Sequence, residues 1–484
     1  MMIRKILGCI GVICICSGRA QNNSLLYDYT EIPQSLLLNP GANIGFSWYA
    51  GLPALSGIGF QAGSTGFSYN DLFANDGTNF TTKIRRSDLL NLDTKDELTA
   101  SFQLEILSAG FRSRKKPKNF YSFGMYLQSD HQVYWPEDIA LLGYNGNEGE
   151  LGRRFDLGDL KLQGYLRNVL HFGLNRAVNK KLVLGGRAKI YSGIINYVST
   201  RNSGYFLTRP GIVAPTANTM VANMRLQTSG IERFREIIGN SSGSTELSGE
   251  IIKRSFFGGD IGLGLDVGFT YYLSDQLLVT GSLLDWGLMS NFSDVRTIEL
   301  KDQKTIEGGQ PISRDALAGA NEDFWQDLAD EIDALVPFVE NQDSFLSFNS
   351  VRLYSSIRYN FGEYMQPNTK SGCNCDYRNP GNSRLASLRS PYRNGLGLQL
   401  YVKDRPRGPQ SAVTLFYQRQ MFRALSFKTT FTADKFSKTN IGLGLNLQTG
   451  PVELYVLADN LLGLQNLANS RYASFQIGLN ILSW

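Results

Sequence analysis

From Gly259 to Leu273 the chain alternates without a break. Ile261, Leu263, Leu265, Val267, Phe269, Tyr271 and Leu273 take every second position, and Gly262, Gly264, Asp266, Gly268, Thr270 and Tyr272 fill the gaps. A period of two over fifteen residues predicts a strand with one apolar face and one small or polar face. The run is longer than the five or six residues usual for soluble strands. It suits a tilted strand crossing a bilayer, which takes about 9–11 residues and carries aromatics where hydrocarbon meets water. A chain built from such strands is all-β, an outer-membrane β-barrel.

The opening residues agree. Arg4 and Lys5 precede an apolar run from Ile6 to Cys16, and Gly18-Arg19-Ala20 puts small residues at both ends of a cleavage triplet. Residues 1–20 therefore read as a cleaved Sec signal peptide, and Leu7-Gly8-Cys9 falls too early in the apolar core for a good lipobox. No later apolar run reaches the roughly 20 residues of a membrane helix. Only helices and closed barrels satisfy their own backbone in lipid, so an embedded chain of this kind crosses with strands. Fifty glycines, 12% aromatic residues and a mean hydropathy of −0.19 fit a wall whose side chains face lipid and water in turn. A formal charge of +5 on 484 residues gives no reason to expect nucleic acid as a partner.

Alternating segments recur along the chain. They include Leu98 to Ile106, Tyr121 to Gln128, Leu160 to Leu174, Leu182 to Tyr191, Leu277 to Trp286, Val351 to Phe361, and a closely spaced series from Leu396 to Ile481. Ser274-Asp275-Gln276 and Thr449-Gly450-Pro451 are hairpin-sized links, and in bacterial barrels such short turns face the periplasm while long loops face outward. Counting from Leu55 to Ser64 as the first strand gives about fourteen, an even number as such barrels require. Parity leaves out Ile44 to Tyr49, placed in a lead-in segment, and Met220 to Leu226, placed in a hairpin projecting from an outer loop. It also sends 288–344 outside and 362–394 to the periplasm. The expected organisation is a signal peptide over 1–20, an N-terminal segment over 21–54 and a barrel over 55–484. Phe475, Ile477, Leu479 and Ile481 keep phase as a final strand, with Trp484 one position off it.

The N-terminal part carries a resemblance. Asn39-Pro40-Gly41, Tyr49-Ala50-Gly51-Leu52-Pro53-Ala54-Leu55-Ser56 and Thr65-Gly66-Phe67-Ser68-Tyr69-Asn70-Asp71-Leu72-Phe73 resemble the start of a functionally uncharacterised family of outer-membrane barrels from Bacteroidota. That family is similar to long-chain fatty-acid transporter barrels, in which an Asn-Pro-Ala box belongs to an N-terminal hatch inside the lumen. The resemblance implies that Asn39, Pro40 and Gly41 form the hatch box, with Gly41 standing where Ala is usual. It also implies passage of a hydrophobic or amphipathic solute. A further similarity, to the barrel subunit of the type IX secretion system, implies an accessory role in a secretion or surface complex.

Several side chains bear on function. Arg167, His171, Arg187, Lys189, Asp266, Arg352 and Arg358 fall on the inward phase, with Lys161, Lys428, Glu105 and Glu453, as charge facing a wet lumen requires. Cys373-Asn374-Cys375 is a disulfide candidate in an oxidising compartment, with a contact for a partner and a redox pair as its other uses. Its spacing from His131 and His171 offers no metal set, and no cofactor motif appears, since Gly262-Leu263-Gly264 lies inside a strand phase. A hydrolase would need a nucleophile beside one of the two histidines, which linear order does not provide, so no enzyme is expected. Phe324, Leu328, Ile332 and Leu335 recur at helical spacing opposite an acidic face, predicting a helix from Asn321 to Val336 in the outer excursion. The basic turn Arg112 to Lys118 suits phospholipid head groups. Outer-membrane lipid is thus the first partner, and protein partners would meet loop 288–344 or loop 362–394. Because these loops are more distinctive than the lumen, the sequence favours the accessory subunit, with the transporter-like barrel as the alternative.

Overall fold

In a computed structural model the described residues run from 23 to 483, apart from 69, 72–73, 75–76, 78–82, 84–91, 240–243, 308–338, 365–391, 423, 436–439 and 462–470. The expected signal peptide over 1–20, Trp484, the expected helix over 321–336 and the Cys373–Cys375 pair lie outside them, as does part of the Tyr69 to Phe73 motif.

Among the described residues twenty strands form one antiparallel sheet. The first ten are β1 (Trp48–Gly51), β2 (Ile58–Ser64), β3 (Glu97–Arg112), β4 (Asn119–Tyr134), β5 (Arg154–Asp156), β6 (Leu162–Ala177), β7 (Leu182–Pro210), β8 (Thr216–Ser229), β9 (Asp260–Tyr272) and β10 (Leu277–Asn291). The rest are β11 (Val295–Glu307), β12 (Val339–Asn341), β13 (Phe345–Phe348), β14 (Arg352–Tyr364), β15 (Tyr392–Lys403), β16 (Gln410–Gln420), β17 (Leu425–Ala433), β18 (Asn440–Thr449), β19 (Val452–Asp459) and β20 (Tyr472–Ser483).

Pairing closes the sheet on itself. β1 and β2 share one place in the wall, each hydrogen-bonded to β20 on one side and β3 on the other. From β3 the wall continues through β4, β6, β7, β9 and β10. β13 and β14 share the next place beside β10, and β15 to β20 complete the circuit. The wall has about fourteen positions, as the alternation implies. It starts earlier than expected, however: Trp48 and Tyr49 are already paired on both sides, and the short excursion Leu52 to Gly57 interrupts this first position.

Along β9 burial alternates at every residue, with Ile261, Leu263, Leu265, Val267, Phe269 and Tyr271 exposed and the residues between them buried or half-buried. The same outward apolar phase recurs on β15, β16 and β18. A closed wall with an apolar exterior and a polar interior is the arrangement a bilayer demands of a strand protein. No described helix is long and apolar enough to cross.

Short turns gather at one end, which also carries the long connection over 365–391 between β14 and β15, and the other long connections lie at the opposite end. At the long-loop end β7 runs on past the wall and pairs with β5 and β8, β8 pairs with β11, and β11 with β12. Met220 to Leu226 does lie in this projecting hairpin. Phe155, Leu157, Phe206, Met220 and Leu300 form its small core, against which Leu142 of helix α2 (Glu137–Asn145) packs; α1 (Asn23–Leu26) precedes the barrel.

Candidate functional site in the lumen

The lumen is occupied from the short-turn end by the chain's own N-terminal residues. Leu25, Tyr27, Tyr29, Ile32 and Phe46 are fully buried there, and Pro33–Leu37 forms a single 3-10 turn. Tyr27 and Tyr29 reach different sectors of the wall: the Tyr27 hydroxyl meets Thr280 Oγ1 on β10 at 2.9 Å, and that of Tyr29 meets Ser426 Oγ on β17 at 3.0 Å. Burial, reinforced by the neighbouring Asp28 and Glu31 carboxylates respectively, raises both phenols far above their ordinary range, so both keep the proton they share. Gln34 exchanges two hydrogen bonds with Asn480, at 2.9 and 3.0 Å, and donates to Glu105 at 3.1 Å. Gln418 donates to Glu31 at 2.8 Å. Backbone carbonyls are met as well: Arg187 donates to those of Leu36 and Leu37, Ser282 to Leu38, Asn175 to Pro40 and Ala42, and Thr270 to Gly41.

Asn39-Pro40-Gly41 sits at the tightest approach. The Asn39 amide donates to the Phe269 carbonyl at 3.2 Å and accepts from the Gly41 N–H at 2.9 Å. A Cβ on Gly41 would lie 2.3 Å from the Gly268 carbonyl oxygen, and one on Gly185 would lie 1.9 Å from that of Pro40. Glycine is therefore what lets this backbone lie flat on the wall.

Above this segment five charged side chains form a rung. Arg187 pairs with Asp266, Lys189 lies 2.8 Å from Asp266 and 2.6 Å from Asp285, and Arg352 lies 2.5 Å from Asp285. The Asp285 N–H also donates to Asp266 at 2.7 Å. Burying such charges is tolerable only because each is paired and hydrogen-bonded. Arg358 stands apart from the rung and donates to the Asp28 carbonyl at 2.9 Å, while Lys428 bonds the carbonyls of Ser24 and Tyr27. Glu453 accepts from Asn480 at 3.1 Å.

Arg167 is held differently. Its guanidinium lies 4.0 Å from the ring centres of both Tyr165 and Tyr191 and donates to Gln128 and, at 2.6 Å, to Asn349. No carboxylate among the described residues pairs with it. It lines a cavity of about 200 Å³ toward the long-loop end, shared with Gln132, Gln163, Tyr165, Asn349 and Ser350. His171 packs on Tyr126 instead, with ring centres 5.7 Å apart. The sequence candidates thus divide into a rung, two anchors of the N-terminal segment, a caged arginine and a packed histidine.

One histidine does meet a serine. His131 Nε2 lies 2.7 Å from Ser129 Oγ, and its Nδ1 lies 2.9 Å from the Tyr197 hydroxyl, on the outward face of β4 and β7. The third group is a phenol where a triad places a carboxylate. Ser129 also sits mid-strand between Phe102 and Leu166, so the neighbouring N–H groups serve the ladder rather than an oxyanion. These side chains satisfy one another on a face that offers them little water. Among the described residues no group of three or more His, Cys, Asp or Glu is arranged to hold a metal.

A closed wall with an apolar belt, a polar lumen occupied by the N-terminal segment and a cavity at the opposite end define a membrane-spanning β-barrel. The chain belongs to the family of unknown function DUF5723, whose profile matches residues 40–459. No curated protein matches it. Among solved structures it is similar to the Pseudomonas putida toluene transporter TodX, with 9% identity over 95% of this chain and 92% of that one and a TM-score of 0.37. The Ralstonia pickettii toluene transporter TbuX matches with 9% identity over 96% and 94% and a TM-score of 0.38. A Pseudomonas aeruginosa FadL homologue matches with 10% identity over 94% of each chain and a TM-score of 0.40.

Proposed function

We propose that this protein is a gated outer-membrane channel for a small amphipathic solute, with residues 23–47 as its hatch and Asn39, Pro40 and Gly41 as the hatch box. The observation that carries the reading is how the hatch is held. Its contacts come from strands all around the wall, they are hydrogen bonds and small ion-dipole contacts rather than a covalent tie, and they lie in the short-turn half of the barrel. Each such bond contributes about 1 kcal/mol net, so a segment held this way can leave in parts. The cavity on the far side, with a caged cation, amides and tyrosines, offers polar and apolar contacts together, which suits a solute with both. On this reading the short turns face the periplasm, residues 1–20 are removed on export, and the solute enters from outside.

The accessory-subunit reading rests on loops 288–344 and 362–394, most of whose distinctive residues lie outside the described part; nothing in the wall favours it, and neither a Bacteroidota source nor a secretion partner has support here. The test is transport in planar bilayers and swelling liposomes. Deleting residues 23–46 should raise single-channel conductance several-fold. In a chain whose other cysteines are serine, Gln34→Cys with Asn480→Cys should block flux when oxidised and restore it on reduction. Equal conductance with and without the segment, and no effect of the lock, would dismiss the hatch.

A further inference from the structure

On β6 and β7 the outward phase changes chemistry toward the long-loop end. Nearer the short turns it carries Phe172, Leu174, Leu184 and Ile190; then come Asn168 and Ser192, paired with each other across the two strands. Facing hydrocarbon, unmet polar groups would cost several kcal/mol each. Instead a turn lies over them. The chain leaves β8 through helices α3 (Ile231–Gly239) and α4 (Ser244–Lys253), and the π turn Arg254–Gly258 follows before β9. Asn168 Nδ2 donates to the Ser255 carbonyl at 3.0 Å; Ser192 Oγ donates to the Arg254 carbonyl at 2.6 Å and accepts from the Phe257 N–H at 2.8 Å. Arg254, itself buried, donates to the Ile194 carbonyl and to Ser293 and pairs with Glu250 at 3.1 Å. Residues 244–258 are therefore a strap bonded to the outside of the wall.

The far side of that strap is apolar. Ile252, at the end of α4, and Phe256, in the kinked turn that follows, are 60% and 59% exposed. Phe257 is exposed beside them at φ +64, a backbone conformation bulky residues rarely adopt. Their level identifies what covers them. Ser192 pairs with Ile261, the first residue of the outward row on β9 that ends at Tyr271. That row spans roughly 33 Å of strand and, at the usual tilt, about 25 Å of height, the thickness of the apolar belt. The strap thus continues the lipid-facing surface at its upper edge, where barrels carry an aromatic girdle.

We propose that Ile252, Phe256 and Phe257 enter the outer leaflet of the membrane and extend the girdle in this sector, the occupant being lipid acyl chains. The test is spin labelling at single cysteines in the full chain, with its native cysteines changed to serine, reconstituted in phospholipid bilayers. Labels at Phe256→Cys and Ile252→Cys should collide with oxygen several-fold more readily than with a water-soluble nickel chelate. In this they should match a label at Leu265→Cys on the wall and oppose one at Ile212→Cys on the projecting hairpin. Two positions on the strap keep the test alive if one variant does not fold. Nickel-dominated collisions at both would overturn the proposal in favour of a solvated strap. Exclusion of both reagents would overturn it in favour of a protein contact, such as a second copy.

Discussion

Lys189 is the side chain on which the rung depends, because it alone touches both Asp266 and Asp285. Replacing it by methionine keeps much of the volume and leaves two buried carboxylates facing each other with one arginine apiece. Breaking a buried pair in this way costs about 3–5 kcal/mol. Lys189→Met should accordingly lower the temperature at which the folded barrel loses its compact mobility in detergent gels, whereas Lys161→Met should not. Gly41→Ala tests a different kind of residue. Its new Cβ would meet the Gly268 carbonyl, so the hatch should be displaced and the open-channel probability should rise while the melting of the wall stays unchanged. Inward phase was enough to single out Lys189, Asp266, Arg187 and Arg352 from the sequence. It missed Asp285, which reaches the lumen only because a bulge after Leu283 puts Leu284 and Asp285 on the same side, with Asp285 at φ +62. The adjacent pair Leu283-Leu284, a stumble in an otherwise regular alternation, was the available signal. Gly41 counted in the sequence as a minor departure from Ala; only the fold reveals the backbone lying against it.

Strands were the legible elements, since a face that meets lipid and a face that meets water write their period directly into the residue order. The N-terminal segment writes no period. Its residues answer to partners hundreds of positions away, as Gln34 does to Asn480 and Tyr29 to Ser426, and so a resemblance to known barrels could suggest its path while no local pattern traces it. The same reason explains the misplaced start of the wall: Trp48–Gly51 is four residues long, too short to show alternation, and the pairing that makes it a strand comes from β20 and β3. Gln34 makes a useful probe of the element. Gln34→Leu removes three hydrogen bonds and leaves Glu105 and Asn480 facing an apolar group, at a cost of about 1–3 kcal/mol. Limited proteolysis from the short-turn side should then cut within residues 23–47 at least several-fold faster than in the unaltered protein, with the strands still protected.

At the level of the whole molecule, circular closure removes the open edges through which sheets aggregate, yet the circle is not equally strong all round. The ladder between β3 and β4 runs from Glu97 to Arg112, whereas β20 meets β1 over four residues and β2 over six, with Leu52 to Gly57 between them. Opening free energies are lowest where fewest contacts must break together. Amide exchange in bilayers should therefore be fastest, among wall strands, at Trp48 to Ser64 and along Tyr472 to Ser483. That join unites the first and last of the described strands, and it closes the circle. A cylinder fastened by two short stitches instead of one long one can be completed in stages, the four-residue piece nearest the short turns holding while the six-residue piece finds its register.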